Sequence, residues 1–259
     1  MVSQTAISGL VFQALIAILI PILAFVYLKR TYSISYRPIV VGVMVFIAFS
    51  QVFETALNAY ILNVNPTTSV IKNYPYLYAL YGALAAGVFE EIGRYAGFML
   101  LLRENRERKD GLAYGLGHGG IEALLIGVMS SVQSIVIANL INSGQFEAMY
   151  GKSASAEMIA AVKNSLVTLT FTDGVLGGVE RIAAFMIQVA LSLLVLYAIN
   201  SKKFQYVGLA ILIHAAVDYV AVFHRIAGLN LFIVEAFILV VAAVAFLYIR
   251  KTKESWTQN

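Results

Sequence analysis

The chain has 259 residues, of which 60% are hydrophobic and only 12% are charged. A soluble domain carries about twice that share of charged residues, so the composition excludes an ordinary soluble protein and predicts a polytopic membrane protein. Cysteine is absent, which excludes disulfides, thiolate nucleophiles and cysteine-ligated metal. The net charge of +4 does not indicate nucleic-acid binding, because most cations lie in the connections between apolar runs.

Seven apolar runs, taken in chain order, are long enough to cross a bilayer as helices. We predict these spans, with boundaries good to about 2–4 residues, at about 7–28, 38–62, 75–102, 112–141, 175–199, 205–226 and 229–249. The predicted fold is therefore an all-α bundle of seven transmembrane helices. It is expected to form a single membrane-embedded domain over residues 1–259, placed as a multi-pass protein in the cell membrane.

The distribution of Lys and Arg predicts the orientation of this bundle. The connections after spans 1, 3 and 5, together with the tail, hold 12 of the 18 cations, and the other connections hold four. Cytoplasmic connections are enriched in Lys and Arg, so we predict the N-terminus outside and the C-terminus inside. The outer segment 143–174 is too long for a bare loop, and residues 153–171 are expected to form a helix at the membrane interface.

Span 3 carries three charged side chains, Glu90, Glu91 and Arg94, in the middle of its apolar run. Each such charge costs about 2.5–3.5 kcal/mol on insertion scales, so this helix needs polar partners or a water-filled cavity. Glu90 and Arg94 are four residues apart and share a helix face, which allows an ion pair that is either structural or functional. Glu91 points about 100° away from that face, so it has no predicted partner on its own helix.

Two later spans each offer a histidine followed by a carboxylate four residues on. These pairs are His118 with Glu122 in span 4 and His214 with Asp218 in span 6. Residues at this spacing are neighbours on a helix surface, so each carboxylate is expected to orient or charge its own histidine. One buried histidine alone is as often a packed core residue as a catalytic one, whereas two such pairs favour a function.

Depth in the membrane brings further residues into this set. A rise of about 1.5 Å per residue, counted from the predicted span ends, places both histidines and their carboxylates between the inner half and the midplane. Gln188 of span 5 falls in the same layer, and Glu54 with Asn58 gives span 2 a polar face that is expected to line the pocket. Glycines crowd spans 3 and 4 in this region, so we predict that these two spans pack closely there.

These groups could hydrolyse a peptide bond without a serine or cysteine nucleophile. One glutamate, with Glu91 slightly preferred over Glu90, would act as general base on a water molecule, helped by a histidine. The other imidazole, with Asp218 fixing its tautomer, would donate to the developing oxyanion. Zinc bound by His118, His214 and a carboxylate is the alternative, and it is not favoured because the sequence has no HExxH motif.

Three motifs together resemble those of a known family. They are Phe89-Glu90-Glu91-x-x-Arg94, then Gly115-x-Gly117-His118-Gly119-Gly120-x-Glu122-Ala123, and finally His214-Ala-Ala-Val-Asp218. In order and spacing they are similar to those of the YhfC family of glutamic-type intramembrane proteases, which is related to the CAAX prenyl-protease and bacteriocin-immunity (Abi) group and to PrsW. The resemblance extends over roughly spans 2 to 7.

The resemblance implies a catalytic set and also shows two departures. It implies that the catalytic residues are Glu90, Glu91, Arg94, His118, Glu122, His214 and Asp218. Within that set, a glutamate activates water with a histidine from a second helix, and the third motif serves the oxyanion. Tyr114 stands where the wider group has phenylalanine four residues before its histidine, and Gln188 stands where relatives carry another histidine.

The leading interpretation is an intramembrane endopeptidase that cuts a membrane-embedded or membrane-proximal peptide, with no cofactor and no nucleic-acid partner. Two alternatives stay open. A proton-coupled transporter is one, because intramembrane acids and histidines also build proton relays. A non-catalytic binding or immunity protein that holds a peptide or lipid in the same pocket is the other, and Gln188 is the argument for it. The sequence determines neither the substrate nor the oligomeric state.

Overall fold

The structure, a computed structural model, describes residues 1–151, 153–228 and 230–255, and no strand forms within these ranges. Short helical turns at Pro66–Ser69 and Val70–Asn73 connect the second main helix to the third. The main helices are α1 (Gln4–Tyr32), α2 (Tyr36–Val64), α3 (Pro75–Ala96), α4 (Arg108–Asn142), α5 (Phe146–Tyr150), α6 (Ala156–Val167), α7 (Phe171–Asn200), α8 (Gln205–Ala227) and α9 (Leu231–Ser255).

Six of these helices are long and apolar enough to cross a membrane, namely α1, α2, α4, α7, α8 and α9. Helix α3 occupies the place of predicted span 3 with 22 residues, and it stands apart from the six because Glu90, Glu91 and Arg94 interrupt its apolar sequence. The all-α, multi-pass membrane fold is thus confirmed. The seven predicted spans correspond to the six helices plus α3, and the orientation of the bundle stays a prediction.

Within the described residues, four π-helical turns lie in or directly after the main helices. Helix α2 is π-helical over Ile47–Glu54 and Tyr60–Val64, α4 over Ala123–Val128, and Gly97–Leu101 continues α3. Such turns are rare and occur often at functional sites. Here one π-helical turn ends at Glu54 and another begins directly after Glu122. These turns therefore alter the helical register next to two of the predicted site residues.

Distances between Cα atoms divide the chain into two compact units, and the smaller consists of Met1–Leu23 and Glu122–Ile182. The start of the chain is fixed within it, because the Val2 amide donates to Asn142 Oδ1 at 2.7 Å and Asn142 Nδ2 donates back to the Val2 carbonyl at 3.0 Å. Helix α6 lies inside predicted segment 153–171, and its place at a membrane interface stays a prediction. The core of this unit contains Val2, Ala6, Ala138, Ile141, Phe146 and Leu166.

The larger unit consists of Ala24–Ile121 and Ala183–Asn259. Helices α3 and α8 pack against each other at short range, since a Cβ added at Gly87 would lie 2.9 Å from the Ile211 carbonyl oxygen. This approach brings the acidic stretch of α3 next to His214 on α8. The prediction of a single domain over the whole chain stays a prediction. The core of the larger unit includes Val41, Val45, Phe98, Tyr114, Leu191, Val195, Leu196, Val234 and Ile238.

Two glycines of α4 allow close contact with helices other than α3. A Cβ at Gly115 would lie 2.7 Å from Val189 Cα on α7, and one at Gly117 would collide with the Ile39 carbonyl of α2. Small residues allow helix backbones to approach closely in lipid, and these glycines face α2 and α7 rather than α3. The predicted close packing of spans 3 and 4 is nevertheless present, since a Cβ at Gly97, directly after α3, would lie 3.2 Å from the Tyr114 hydroxyl of α4. The close approach to α7 places His118 beside Gln188.

Candidate active site

Helix α3 carries three ionisable side chains into the interior of the larger unit. Glu90 is only 6% exposed, and Glu91 and Arg94 are fully buried. Burying charged groups is costly unless they are paired and hydrogen-bonded. The neighbours of these three side chains on α4, α7 and α8 therefore decide what the site can do.

Arg94 lies at the centre of the cluster and is held mainly by Gln188 of α7. Its Nη1 donates to the Gln188 backbone carbonyl at 3.1 Å, and its Nη2 donates to Gln188 Oε1 at 2.5 Å. The same Nη2 lies 2.8 Å from His118 Nε2. Its distances to the carboxylates are longer, at 3.8 Å for Glu90 and 3.6 Å for Glu91.

These distances correct the expected pairing on α3. The predicted ion pair of Glu90 and Arg94 is present, but Glu91 lies slightly closer to Arg94 and is not without a partner on its own helix. A spacing of three residues also brings side chains together on a helix, and the long arginine reaches both carboxylates. The guanidinium thus serves both glutamates rather than Glu90 alone.

Each glutamate also contacts a histidine from another helix. Glu90 Oε2 lies 2.8 Å from His118 Nε2 of α4, and Glu91 Oε1 lies 2.8 Å from His214 Nδ1 of α8. His214 Nε2 is 3.5 Å from Asp218 Oδ2 and 3.8 Å from Glu90 Oε2. The predicted pairing of His214 with Asp218 of its own helix is thus present at 3.5 Å, and Glu91 of α3 lies closer to the other ring nitrogen.

Gln188 and His118 complete a ring of contacts with Glu90 and Arg94. Gln188 Nε2 donates to Glu90 Oε2 at 3.2 Å, while its Oε1 accepts from Arg94. His118 Nε2 meets Arg94 on one side and Glu90 on the other, each at 2.8 Å. A single ring nitrogen either donates or accepts, so only one of these two contacts is a hydrogen bond at a time.

The predicted pocket residues of α2 lie beside this cluster. Asn58 Nδ2 donates to Glu54 Oε1 at 3.2 Å, and Tyr81 of α3 donates to Asn58 Oδ1 at 2.6 Å. Glu54 is near enough to Glu90 and Asp218 for their charges to repel. The side chain of Asp218 is 39% exposed, so this side of the cluster is the more accessible one.

The sequence did not predict the contacts that Phe46 and Tyr114 make with the ring of His118. Phe46 of α2 contacts its ring edge-on at a centroid distance of 5.0 Å, and Tyr114 stacks on it at 6.1 Å. Tyr114 lies four residues before His118, so the helical spacing was an available signal. Tyr81 left no such signal, because only tertiary packing joins it to Asn58.

Comparison with known proteins identifies the family of this arrangement. The family described as YhfC intramembrane metalloprotease matches residues 16–251. The chain is also 37% identical over 254 residues to the uncharacterized membrane protein YhfC of Bacillus subtilis (strain 168), with 98% of each chain covered. The chain belongs to the YhfC family. No solved structure matches it.

The description of the YhfC family includes a metal, which the sequence interpretation did not favour. Glu90, His118 and Glu122 each offer one ligand atom, and these atoms lie within 4.8 Å of one another. Glu122 ends the uninterrupted α-helical stretch Arg108–Glu122 that also carries His118. Two carboxylates and one imidazole are donors that zinc and similar divalent ions accept, and three protein ligands leave a position for water.

The hydrogen bonding of His118 agrees with such a site. Within the described residues, His118 Nδ1 is buried and has no hydrogen-bond partner, and the same is true of Glu91 Oε2. An ion held through His118 Nδ1 would leave Arg94 in place, whereas one held through Nε2 would require Arg94 to release that nitrogen. In donor type and number, the three residues fit a divalent metal ion. The zinc site considered from the sequence also included His214, whose Nδ1 instead lies 2.8 Å from Glu91 Oε1.

Proposed function

We propose that this protein is an intramembrane endopeptidase that hydrolyses a peptide bond of a membrane-embedded or membrane-proximal substrate. The observation that carries the proposal is the buried pairing of two glutamates with two histidines at 2.8 Å around one arginine. Carboxylate and imidazole groups are the side chains that most often act as general bases and acids, and Glu91 and His214 at 2.8 Å can share a proton between them. Membership of the YhfC family supports the same reaction class.

In this proposal Glu91 is the general base. Its Oε1 lies on His214 Nδ1, so its Oε2 is the oxygen that accepts a proton from the attacking water. The water oxygen bonds to the peptide carbonyl carbon, and the C–N bond then breaks as the amine takes up a proton. His214 Nε2 faces Glu90 and Asp218, and it is the atom that exchanges a proton with the substrate.

Arg94 and the metal candidates have separate roles. Arg94 compensates the charge of both carboxylates inside the bundle. Glu90, His118 and Glu122 would hold a divalent ion, which would supply Lewis-acid polarisation and a more acidic bound water. The metal-free reaction, driven by glutamate and histidine alone, is the competing form of the proposal, and metal analysis separates the two.

The test uses detergent-purified protein and a panel of membrane peptides, with and without chelator. Glu91→Gln and His214→Ala are expected to lower cleavage about 10²–10⁴-fold, the usual contribution of a general acid or base, while remaining folded. Glu157→Gln, at an exposed position of α6, is the matched control and is expected to cleave normally. Undiminished cleavage in Glu91→Gln would refute its role as base.

The same samples decide the metal question. Stoichiometric zinc or another divalent ion, lost in His118→Ala together with cleavage, assigns the site at Glu90, His118 and Glu122. Cleavage that is insensitive to chelator, in protein without stoichiometric metal, assigns the reaction to the glutamate and histidine groups alone.

A non-catalytic binding protein is the second candidate, and the Arg94 contact to His118 Nε2 favours it because a cation already occupies that nitrogen. Such a protein would tolerate Glu91→Gln in a peptide-binding assay. It would instead lose binding on bulky substitution at half-buried Asn58, which faces the accessible side of the cluster.

A further inference from the structure

Gln188 makes contacts that a residue merely filling space would not make. It takes two hydrogen bonds from Arg94, one on its backbone carbonyl and one on Oε1, and gives one to Glu90 from Nε2. It is 5% exposed. Among side chains that carry no charge, the primary amide is the one that presents a carbonyl acceptor and an N–H donor from the same terminal group. That combination matches an arginine on one side and a carboxylate on the other.

This anchoring has a consequence for Arg94. With both Nη atoms held by Gln188, the guanidinium stays 3.6–3.8 Å from the two carboxylates instead of forming contact ion pairs with them. Charge-assisted hydrogen bonds in contact pairs are about 2.7–2.9 Å long. Gln188 therefore keeps the arginine close enough to compensate charge but leaves the carboxylate oxygens open to other partners.

The anchoring of Arg94 by Gln188 also determines how His118 is hydrogen-bonded. Oε1 of Gln188 occupies one N–H of Arg94 Nη2, and the other N–H of this group then points at His118 Nε2, 2.8 Å away. A nitrogen that accepts from arginine has no proton to donate to Glu90. The Gln188 amide supplies Glu90 with a donor in its place.

We propose that Gln188 is a positioning residue that holds Arg94 on His118, so that His118 Nε2 is an acceptor and Glu90 and Glu91 stay free of contact ion pairs. The proposal rests on the proposed function for its effect on catalysis. The arrangement of the hydrogen bonds rests on the contacts alone, and it can be measured in inactive protein.

The chain offers a direct readout, because it contains only three histidines, His118, His214 and His224. Ring nitrogens that carry a lone pair and those that carry a proton have well-separated 15N resonances. Protein labelled with 15N-histidine, freed of metal by chelator and held at one pH, would report the tautomer of each ring. His214→Gln and His224→Gln variants assign the signals.

We expect His118 of the unmodified chain to carry its lone pair on Nε2. Gln188→Met, which keeps the side-chain length but removes both hydrogen-bonding groups, is expected to move the proton to Nε2, because Arg94 then moves onto the carboxylates. Gln188→Glu retains an acceptor for Arg94 and is expected to keep the original tautomer. Comparing the two variants separates the anchoring of Arg94 from the donor contact to Glu90.

Ser192→Ala is the matched control. Ser192 lies one turn further along α7, is fully buried, and donates to the same Gln188 carbonyl at 2.8 Å. It is expected to leave the His118 signals unchanged. Identical His118 tautomers in the unmodified chain and in folded Gln188→Met would overturn the proposal, as would an equal change in Ser192→Ala.

Activity gives an independent second readout. If the peptidase proposal holds, Gln188→Met should lower kcat about 10–100-fold with little change in KM, the equivalent of one hydrogen bond to a charged group. Absence of cleavage in the unmodified chain would count against the proposed function, while the His118 tautomers would still decide the role of Gln188.

Discussion

Replacing Arg94 by methionine tests whether the two buried glutamates are held as charged groups. Arg94 is the cation on α3 that faces them, at 3.8 Å from Glu90 and 3.6 Å from Glu91. At these separations and an effective dielectric constant of about 20, each attraction is worth about 4–5 kcal/mol before desolvation. Burial of each ion opposes this by several kcal/mol, and measured losses on removing one partner of a buried pair are about 3–5 kcal/mol.

We therefore expect Arg94→Met to lower the free energy of unfolding by about 3–5 kcal/mol. Arg94→Lys keeps the charge but cannot reproduce the two-pronged contact to Gln188, so a smaller loss of about 1.5–3 kcal/mol is expected, the range for hydrogen bonds to charged groups. Helix content followed during unfolding in mixed detergent measures both. Arg103→Met, at an exposed position, is the control and should change stability by less than about 0.5 kcal/mol.

A double substitution sharpens the test. Glu91→Gln removes one of the charges that Arg94 compensates, so Arg94→Met combined with Glu91→Gln should cost less than the sum of the two single losses, by about 0.5–3 kcal/mol. A free energy of unfolding of Arg94→Met within about 1 kcal/mol of that of the unmodified chain would refute the view that Arg94 compensates two charged glutamates. That result would mean that the buried glutamates are already neutral and need no compensating charge.

Two further predictions concern packing and surface charge. Gly117→Ala should destabilise the fold by about 1–3 kcal/mol, because its Cβ would collide with the Ile39 carbonyl. Gly82→Ala should be neutral or stabilising, because its Cβ would meet no atom within 4 Å. Thermal unfolding of the two variants measures both effects. The Lys163 ammonium, 2.5 Å from the carboxylate, holds the pKa of Glu147 below its ordinary value. Because the pKa of Glu147 is lower in the folded state, this contact stabilises the fold at pH values above the unfolded pKa. That stabilisation is lost as the pH falls through the folded pKa. NMR titration should therefore show a higher Glu147 pKa in Lys163→Met.

The sequence was sufficient for the membrane fold because apolar length is a strong constraint. A lipid bilayer leaves no water for exposed backbone groups, so long apolar runs become helices wherever they occur. The predicted spans therefore agree with the six apolar helices and α3, and family membership was also recognisable from the three motifs. The charges of α3 required polar partners, and the helical rise was enough to select His118, Gln188 and His214 as those partners.

Which atoms meet was decided only by the tertiary structure. Spacing along one helix predicted the pairs of His214 with Asp218 and of Arg94 with Glu90, which are present at 3.5 Å and 3.8 Å. The closer contacts, at 2.8 Å, run between helices, from Glu91 to His214 and from Glu90 to His118. Contacts between helices depend on how closely backbones approach, which the glycines of α4 and Gly87 of α3 determine. The sequence alone determined which chemical groups lie in the membrane, and helix packing determined how they pair, because a side chain's partner depends on distances that no single helix contains.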